Sequence, residues 1–383
     1  MRVAVVHDWL VTFGGAERTL EQMLRVLPQA DVFTLIDYLP GSQRAFLDAH
    51  SVRTSFLQRL PWSRTSYRQY LPLMPLAIEQ FDLSAYDLVV SSSYAVAKGV
   101  ITGPDQLHIC MCYSPMRYAW DLQHQYLREA GLSGGLRSLA ARALLHRIRN
   151  WDARTGAGVD DFIAISRFVA RRIRKVYRRD STVIHPPVDT ERFTYDTAVP
   201  REDFYVTASR LVPYKRVDLI VEAFAGLSDR TLVVIGDGPD ARRVRAGNPA
   251  NVRFLGEQPF AVLRDHFRRA RAFVFAAEED FGIVPLEAQA CGTPVIALQK
   301  GGVLETVEGL DSVRPTGVFF PEQSVPALQA AVETFERESS RILPVTCRES
   351  ALRFSAERFR QEFGEFVGDR LARFRRELGA LGD

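Results

Sequence analysis

The sequence predicts an α/β protein built from two doubly wound domains with parallel sheets. Three observations predict it. The chain has 383 residues, too long for one small core and enough for two α/β domains of ordinary size. Short apolar runs of strand type alternate with helical patterns through both halves. The runs end in polar loops with glycines, at the edge where open α/β sheets bind ligands.

In the first half, Val3 to Val6 is the first strand, and the loop from His7 through Asp8 to Gly14-Gly15 leads into a helix from about Ala16 to Leu27. Glycines before a helix start allow close backbone approach, and free N–H groups there favour an anion such as a phosphate. Further strands are expected near Ala30–Leu35, Tyr86–Ser91, Leu107–Tyr113 and Asp161–Ser166. The stretch Phe56 to Leu76 mixes aromatics, Leu and Arg, and its three prolines break any long helix. A lid, an acceptor-site wall and a membrane-touching segment all suit it, with Trp62, Arg64, Tyr67 and Arg68 partly exposed. The segment Cys112 to His124 follows a strand, so Arg117 and Asp121 are candidates for contacting a polar acceptor; pairing with each other is the alternative. A basic helical stretch, the strand Thr182–Ile184 and the proline linker His185 to Asp189 close this half. The expected boundaries are 1–185 and 186–360 for the two domains and 361–383 for a final helix.

The second half repeats the rhythm. Strand Phe204–Ala208 ends in Ser209-Arg210, and Lys215 stands five residues beyond Arg210, before a helix from Val217. An Arg fork and a Lys point charge beyond a strand can close on a diphosphate. Leu232–Ile235 runs into the tight turn Gly236-Asp237-Gly238-Pro239, and Val252–Leu255 into Gly256-Glu257, where a nucleobase can meet backbone groups. Then Ala272–Phe275, an acidic loop Glu278 to Gly282, a helix begun by Pro285 and capped by Gly292, and the strand Val295–Ala297 form one unit. Glu279 in the loop and Glu287 in the first helical turn are acceptor-only groups suited to vicinal hydroxyls. Phe359, Phe363, Phe366, Val367, Leu371 and Phe374 recur at helical spacing from Phe354 to Leu378, as on a docking helix.

Composition narrows the setting. Four cysteines without zinc spacing suit a reducing cytoplasm, and no metal is expected. The start, MRVAVVHDWL, lacks a signal-peptide core, and no apolar run approaches a membrane span. Net charge is +3, shared unevenly: residues 1–185 carry +7 and the remainder −4. Arg137–Arg179 holds 12 basic and 3 acidic residues. That face suits anionic lipid headgroups, giving an expected cytoplasmic protein, peripheral on the inner membrane, with no nucleic acid partner.

The string E-D-F-G-x-x-P-L-E-A-x-A-C-G-T-P-V-I, from Glu279 to Ile296, resembles the paired-glutamate signature of retaining glycosyltransferases of family 4. The resemblance implies the GT-B fold: two Rossmann-like domains facing a cleft, with the final helix crossing back to the first. It implies that Arg210 and Lys215 hold a nucleotide diphosphate, that Glu287 holds ribose hydroxyls, and that Glu279 with the Phe281-Gly282 backbone meets the donor sugar. Gly14, Gly15, Ser209, Gly236, Asp237, Gly256 and Ile283 complete the expected donor set. Asp8, Arg117, Tyr118 and Asp121 are the expected acceptor set. More narrowly, HDWL, LPLMPLAIEQFDLSAYDLVVSSSYAVAKGV and CYSPMRYAWDLQHQYL are similar to bacterial GDP-mannose-dependent mannosyltransferases of O-antigen and exopolysaccharide synthesis. Those proteins carry His where Tyr94 and Tyr113 stand here; the second is thought to contact the donor sugar, which makes Tyr113 a catalytic candidate with Arg210, Lys215 and Glu279. The implied activity is transfer of mannose from GDP-mannose, a substrate and not a cofactor, to a lipid-linked or oligosaccharide acceptor. The alternatives are a UDP-sugar donor and a silent nucleotide-sugar or glycan-binding protein.

Overall fold

A computed structural model describes residues 1–382. The chain divides into two compact units, Met1–Pro187 with the chain from Glu357 onward, and Val188–Ala356. The boundaries fall two and four residues from those expected. Pro186 and Pro187 close the first unit, and the last helix, Ala356–Gly382, is continuous across the expected break at 360.

The first unit is a seven-stranded sheet of β1 (Val3–His7), β2 (Asp31–Thr34), β3 (Val52–Thr54), β4 (Leu88–Ser93), β5 (Leu107–Cys112), β6 (Asp161–Ala164) and β7 (Thr182–Val183). Every pairing is parallel, in the order β3-β2-β1-β4-β5-β6-β7. The central strands β1, β4 and β5 are buried at every residue, because helices and loops cover both faces of a parallel sheet. Strand β3 was not expected: its Val-Arg-Thr is an edge, half-buried at best, without an apolar run. The stretch from Phe56 breaks into short turns between Phe56 and Glu79. Leu57 and Met74 enter the core, while Trp62 is 76% exposed.

The last helix belongs to this first unit. Phe359 and Phe363 stack at 5.6 Å in the core, and Arg360 reaches Gln22 Oε1 at 2.6 Å. Arg370 pairs with Asp161 at 3.2 Å.

The second unit is a six-stranded parallel sheet of β8 (Phe204–Ala208), β9 (Thr231–Ile235), β10 (Val252–Gly256), β11 (Phe273–Phe275), β12 (Val295–Leu298) and β13 (Gly317–Phe320). Its order is β10-β9-β8-β11-β12-β13. Winding runs outward one way from β8 and the other way from β11, so strand order reverses between them, as it does between β1 and β4 in the first unit. Strand β13 was also missed, because it starts at a glycine whose backbone presses on β12: a Cβ on Gly317 would stand 2.1 Å from Val295 O.

His108 in β5 is fully buried, with Nε2 2.8 Å from Ser91 Oγ and Nδ1 3.2 Å from the Gly158 carbonyl. Burial disfavours the imidazolium and lowers the pKa from 6.5 to about 4. Between those values the unfolded chain takes up a proton that the folded chain refuses. Stability therefore falls as pH drops from 6.5 toward 4, by about 3 kcal/mol at the limit for this group. Urea unfolding of His108→Gln against the parent should show a shallower loss between pH 6.5 and 4.5.

Candidate functional site

In the second unit, the loops after β8 and β11 flank the place where the order reverses. In doubly wound sheets the ligand crevice lies there. The loop after β8 carries Ser209, Arg210 and a 3₁₀ turn Pro213–Lys215, and Arg216 then takes a left-handed conformation to enter the helix Val217–Ala225. The loop after β11 carries Glu279. Lys215 Nζ and Glu279 Oε1 form a direct ion pair across the gap, both side chains largely shielded. Arg210 is exposed and has no ion-pair partner among the described residues. Ser209 Oγ is buried with no hydrogen-bond partner among them. Cation, carboxylate and unpaired hydroxyl thus meet at one edge.

Backbone contacts lock these loops. Leu211 N–H donates to Asp237 O at 2.9 Å, Gly236 N–H to Gly256 O at 2.7 Å, and Ser209 N–H to Ile235 O at 3.1 Å. Gly236 has φ +127° and its missing Cβ would lie 1.9 Å from Ser209 O, so only glycine lets the turn after β9 rest on the loop after β8. Asp237 is exposed, its Oδ1 accepting from Gly238 N–H at 2.7 Å. On the other flank, Gly301 (φ +86°) would place a Cβ 2.3 Å from Glu279 O, and Gly302 N–H donates to that carbonyl at 2.8 Å. Gly301 and Gly302 hold the Glu279 loop and were missed by sequence reasoning. The available signal was a Gly-Gly pair after a strand, the same that drew attention to Gly14-Gly15.

The helix after Glu279 differs from expectation. It runs Ile283–Ala290 from Gly282 in a left-handed conformation, so Pro285 is its third residue. Proline is tolerated there because the first four N–H groups of a helix lack intrahelical acceptors. Glu287 is then the fifth residue, beyond the first turn, and is 4% exposed. Gly292 (φ +78°) follows the helix end as expected. The Phe281 ring is buried edge-on against Phe354 at 5.7 Å, so it anchors the loop.

The first unit fills its own reversal point differently. Asp8, an expected acceptor contact, is fully buried and accepts four backbone N–H groups: Tyr94 and Ala95 on one oxygen, Val96 and Ala97 on the other, at 2.6–2.9 Å. Its carboxylate is spent on tying the end of β1 to the loop after β4. Desolvation pushes its pKa up, and these bonds pull against that. Tyr113, expected as catalytic, turns inward too. Its hydroxyl lies 2.9 Å from Ser92 Oγ and donates to Ala16 O at 3.2 Å, and burial pushes its pKa up. Ser92 Oγ is also 2.9 Å from His7 Nδ1, and His7 Nε2 is 3.4 Å from Glu17 Oε1. Glu17 Oε2 takes the Gly14 N–H at 2.8 Å, so this donor at the start of the helix Gly15–Val26 already has an acceptor.

The remaining acceptor candidates sit in a braced segment. Asp121 is exposed and pairs with Arg172 at 2.7 Å. Arg117 and Tyr118 are half-buried, the Tyr118 ring edge-on to Tyr126 at 6.3 Å. The segment is held from beneath by Asp152, which was not foreseen. It accepts from Trp120 Nε1 at 2.6 Å and Tyr177 Oη at 2.9 Å and pairs with buried Lys98. A lone Asp in a basic helix gives no such signal in sequence.

Two parallel sheets, each with polar loops gathered where strand order reverses, define a tandem Rossmann-like α/β protein. Residues 13–192 match the family described as Glycosyltransferase Family 4, and residues 190–353 that described as Glycosyl transferases group 1. The two matches together span most of the chain, a family 4-like stretch followed by a group 1-like stretch. Over 181 residues it is 34% identical to a GDP-mannose-dependent monoacylated alpha-(1-6)-phosphatidylinositol monomannoside mannosyltransferase of Corynebacterium glutamicum, covering 40% of this chain and 48% of that protein. Over 193 residues it is 34% identical to a D-inositol 3-phosphate glycosyltransferase of Geodermatophilus obscurus, covering 42% and 43%. The chain thus spans about half the length of the curated relatives it matches. In fold it is similar to Anabaena HepE in complex with UDP, with TM-score 0.69 and 16% identity over 96% of this chain and 100% of that one. Sucrose-phosphate synthase of Thermosynechococcus elongatus gives TM-score 0.72 and 18% identity over 97% and 100%.

Gly236→Ala should destabilise the second unit by about 2 kcal/mol or more, through a strained φ and a backbone clash. Chemical denaturation of the variant would show an earlier transition for that unit. An unchanged midpoint would mean the two loops do not rest on each other.

Proposed function

We propose that the chain moves a sugar from a nucleotide-sugar donor to a lipid-linked or oligosaccharide acceptor, with the donor held at the β8/β11 reversal of the second unit. The observation that carries this reading is the Lys215–Glu279 pair. Without ligand the two neutralise each other. A diphosphate, more highly charged than one carboxylate, takes over Lys215 and draws in exposed Arg210. Glu279 is then released to accept hydroxyls of the sugar, while Glu287 serves the ribose and the unpaired Ser209 hydroxyl gains a partner.

In this reading the bond from the anomeric carbon to the diphosphate breaks through an oxocarbenium-like state as the acceptor oxygen bonds that carbon and the acceptor's hydroxyl proton passes to the departing diphosphate oxygen. Arg210 and Lys215 stabilise the negative charge that gathers on the leaving group, an electrostatic role of the oxyanion-hole kind. The configuration at that carbon is retained, and the nucleotide sugar is a substrate, with no further cofactor. GDP-mannose is the favoured donor, supported by the mannosyltransferase relatives. The UDP-bound structural neighbour motivates the alternative donor class. Tyr94 and Tyr113 leave a silent nucleotide-sugar or glycan-binding role as the second reading.

The acceptor's lipid would be met by peripheral contact on the cytoplasmic side of the inner membrane. Leu136 and Leu139 stand 85% and 65% exposed on the helix Gly135–Thr155, and Arg171, Arg174 and Lys175 are exposed on the helix Arg167–Tyr177. No described helix is long and apolar enough to cross a membrane.

Lys215→Ala should lower kcat/KM for transfer by about 10²- to 10³-fold; undiminished transfer would remove the proposal. A melting-temperature screen should show a larger upward shift with GDP-mannose than with UDP-glucose, and the reverse order would reassign the donor. Vesicles containing anionic lipid should pellet the protein at low salt and release it at high salt.

A further inference from the structure

The first unit carries aromatic rings at its carboxyl edge that the donor site does not use. Trp9 follows β1, Tyr94 follows β4, and Tyr67 lies in the turns between β3 and β4. The Trp9 and Tyr94 rings meet at 5.0 Å and 86°, and Trp9 and Tyr67 at 5.3 Å and 56°. All three are half-buried. They come together because Asp8 grips the backbone N–H of Tyr94 at 2.7 Å, seating that ring beside the residue next to Asp8 in sequence.

Two polar tips in this cluster are left over. Neither Trp9 Nε1–H nor Tyr94 Oη–H has a hydrogen-bond partner among the described residues, and neither atom is sealed from solvent. Buried Trp and Tyr usually find a hydrogen-bond partner for these groups. Tyr113, 6.0 Å from Tyr94 by ring centroid, does so. Aromatic bodies with unpaired donors beside them, at the edge where parallel sheets take ligands, match one ligand chemistry well. A pyranose offers an apolar C–H face to a ring and equatorial hydroxyls to donors at its rim.

We propose that Trp9, Tyr94 and Tyr67 form a pyranose-binding subsite in the first unit, in which the sugar's C–H face packs on the aromatic rings and its hydroxyls accept from Trp9 Nε1–H and Tyr94 Oη–H. Its role as the seat of the acceptor's terminal sugar rests on the transferase reading; sugar binding itself does not. Asp8 is a positioning residue, acting through the Tyr94 backbone. Burial pushes the Tyr94 phenol further up from its ordinary value, so the hydroxyl remains a donor across the neutral range.

The test is saturation-transfer NMR on the full chain with methyl α-mannopyranoside and methyl α-glucopyranoside as probes, GDP being present in excess. Ring C–H protons of one sugar face should receive the strongest transfer. Trp9→Ala should weaken binding at least tenfold, Tyr94→Phe about fivefold, as expected for one hydrogen bond of about 1 kcal/mol. Trp9→Phe, which keeps a stacking ring, should recover part of the loss. The GDP-induced melting shift should be the same in all variants, which shows they are folded. Equal transfer to parent and Trp9→Ala, or no transfer with either probe, overturns the subsite. Sugar binding that depends on Trp9 without any turnover would leave it standing and remove the transferase reading instead. Turnover whose acceptor KM ignores Trp9→Ala would do the opposite.

Discussion

A parallel sheet wound outward in both directions from its middle leaves one gap at its carboxyl edge, where neighbouring strands send their chains to opposite faces. In the second unit it opens between β8 and β11, and Lys215 and Glu279 bridge it. In the first it opens between β1 and β4, and His7, Asp8, Ser92 and Tyr94 line it. The gap follows from connection geometry: right-handed crossovers put the helices on whichever face the winding direction demands.

The two units fill that gap with opposite economies of hydrogen bonding. In the first, Asp8 satisfies four backbone donors, and Tyr113, Ser92, His7 and Glu17 satisfy one another. Buried polar groups joined this way rigidify the edge. Among the described residues, the Trp9 Nε1–H and Tyr94 Oη–H beside it remain unpaired. In the second unit the backbone does the bracing, through glycines that let carbonyls approach at distances a Cβ would forbid. That leaves the side chains of Ser209 and Arg210 without hydrogen-bond or ion-pair partners among the described residues. A framework held by main chain keeps its side-chain charges for something else.

Much of this was legible in the residues. Buried strands such as VAVVH and FYVTA read as continuous apolar runs, since both faces of a parallel sheet are covered. Glu279, the Arg–Lys spacing and the cap at Gly292 could be placed on loops and a helix end by turn chemistry, whereas Glu287 lies beyond the first helical turn expected for it. The short edges β3 and β13 could not, because three or four residues with one exposed side carry no periodic signal. Pro285 was assigned one position too rigidly: proline fits any position of a helix's first turn, so its presence bounds a start without naming it.

By itself the sequence determined the fold class, the chemical kinds gathered at the strand ends and the linker prolines, because these depend on local pattern and residue type. Only the tertiary structure decided what each group does. It gave Asp8 and Tyr113 hydrogen-bond partners within the first unit and showed Lys215 answering Glu279. It also set Trp9 against Tyr94. Hydrogen-bond satisfaction is a property of neighbours in space, 86 residues apart for Asp8 and Tyr94, and no spacing along the chain encodes which donors and acceptors are left over.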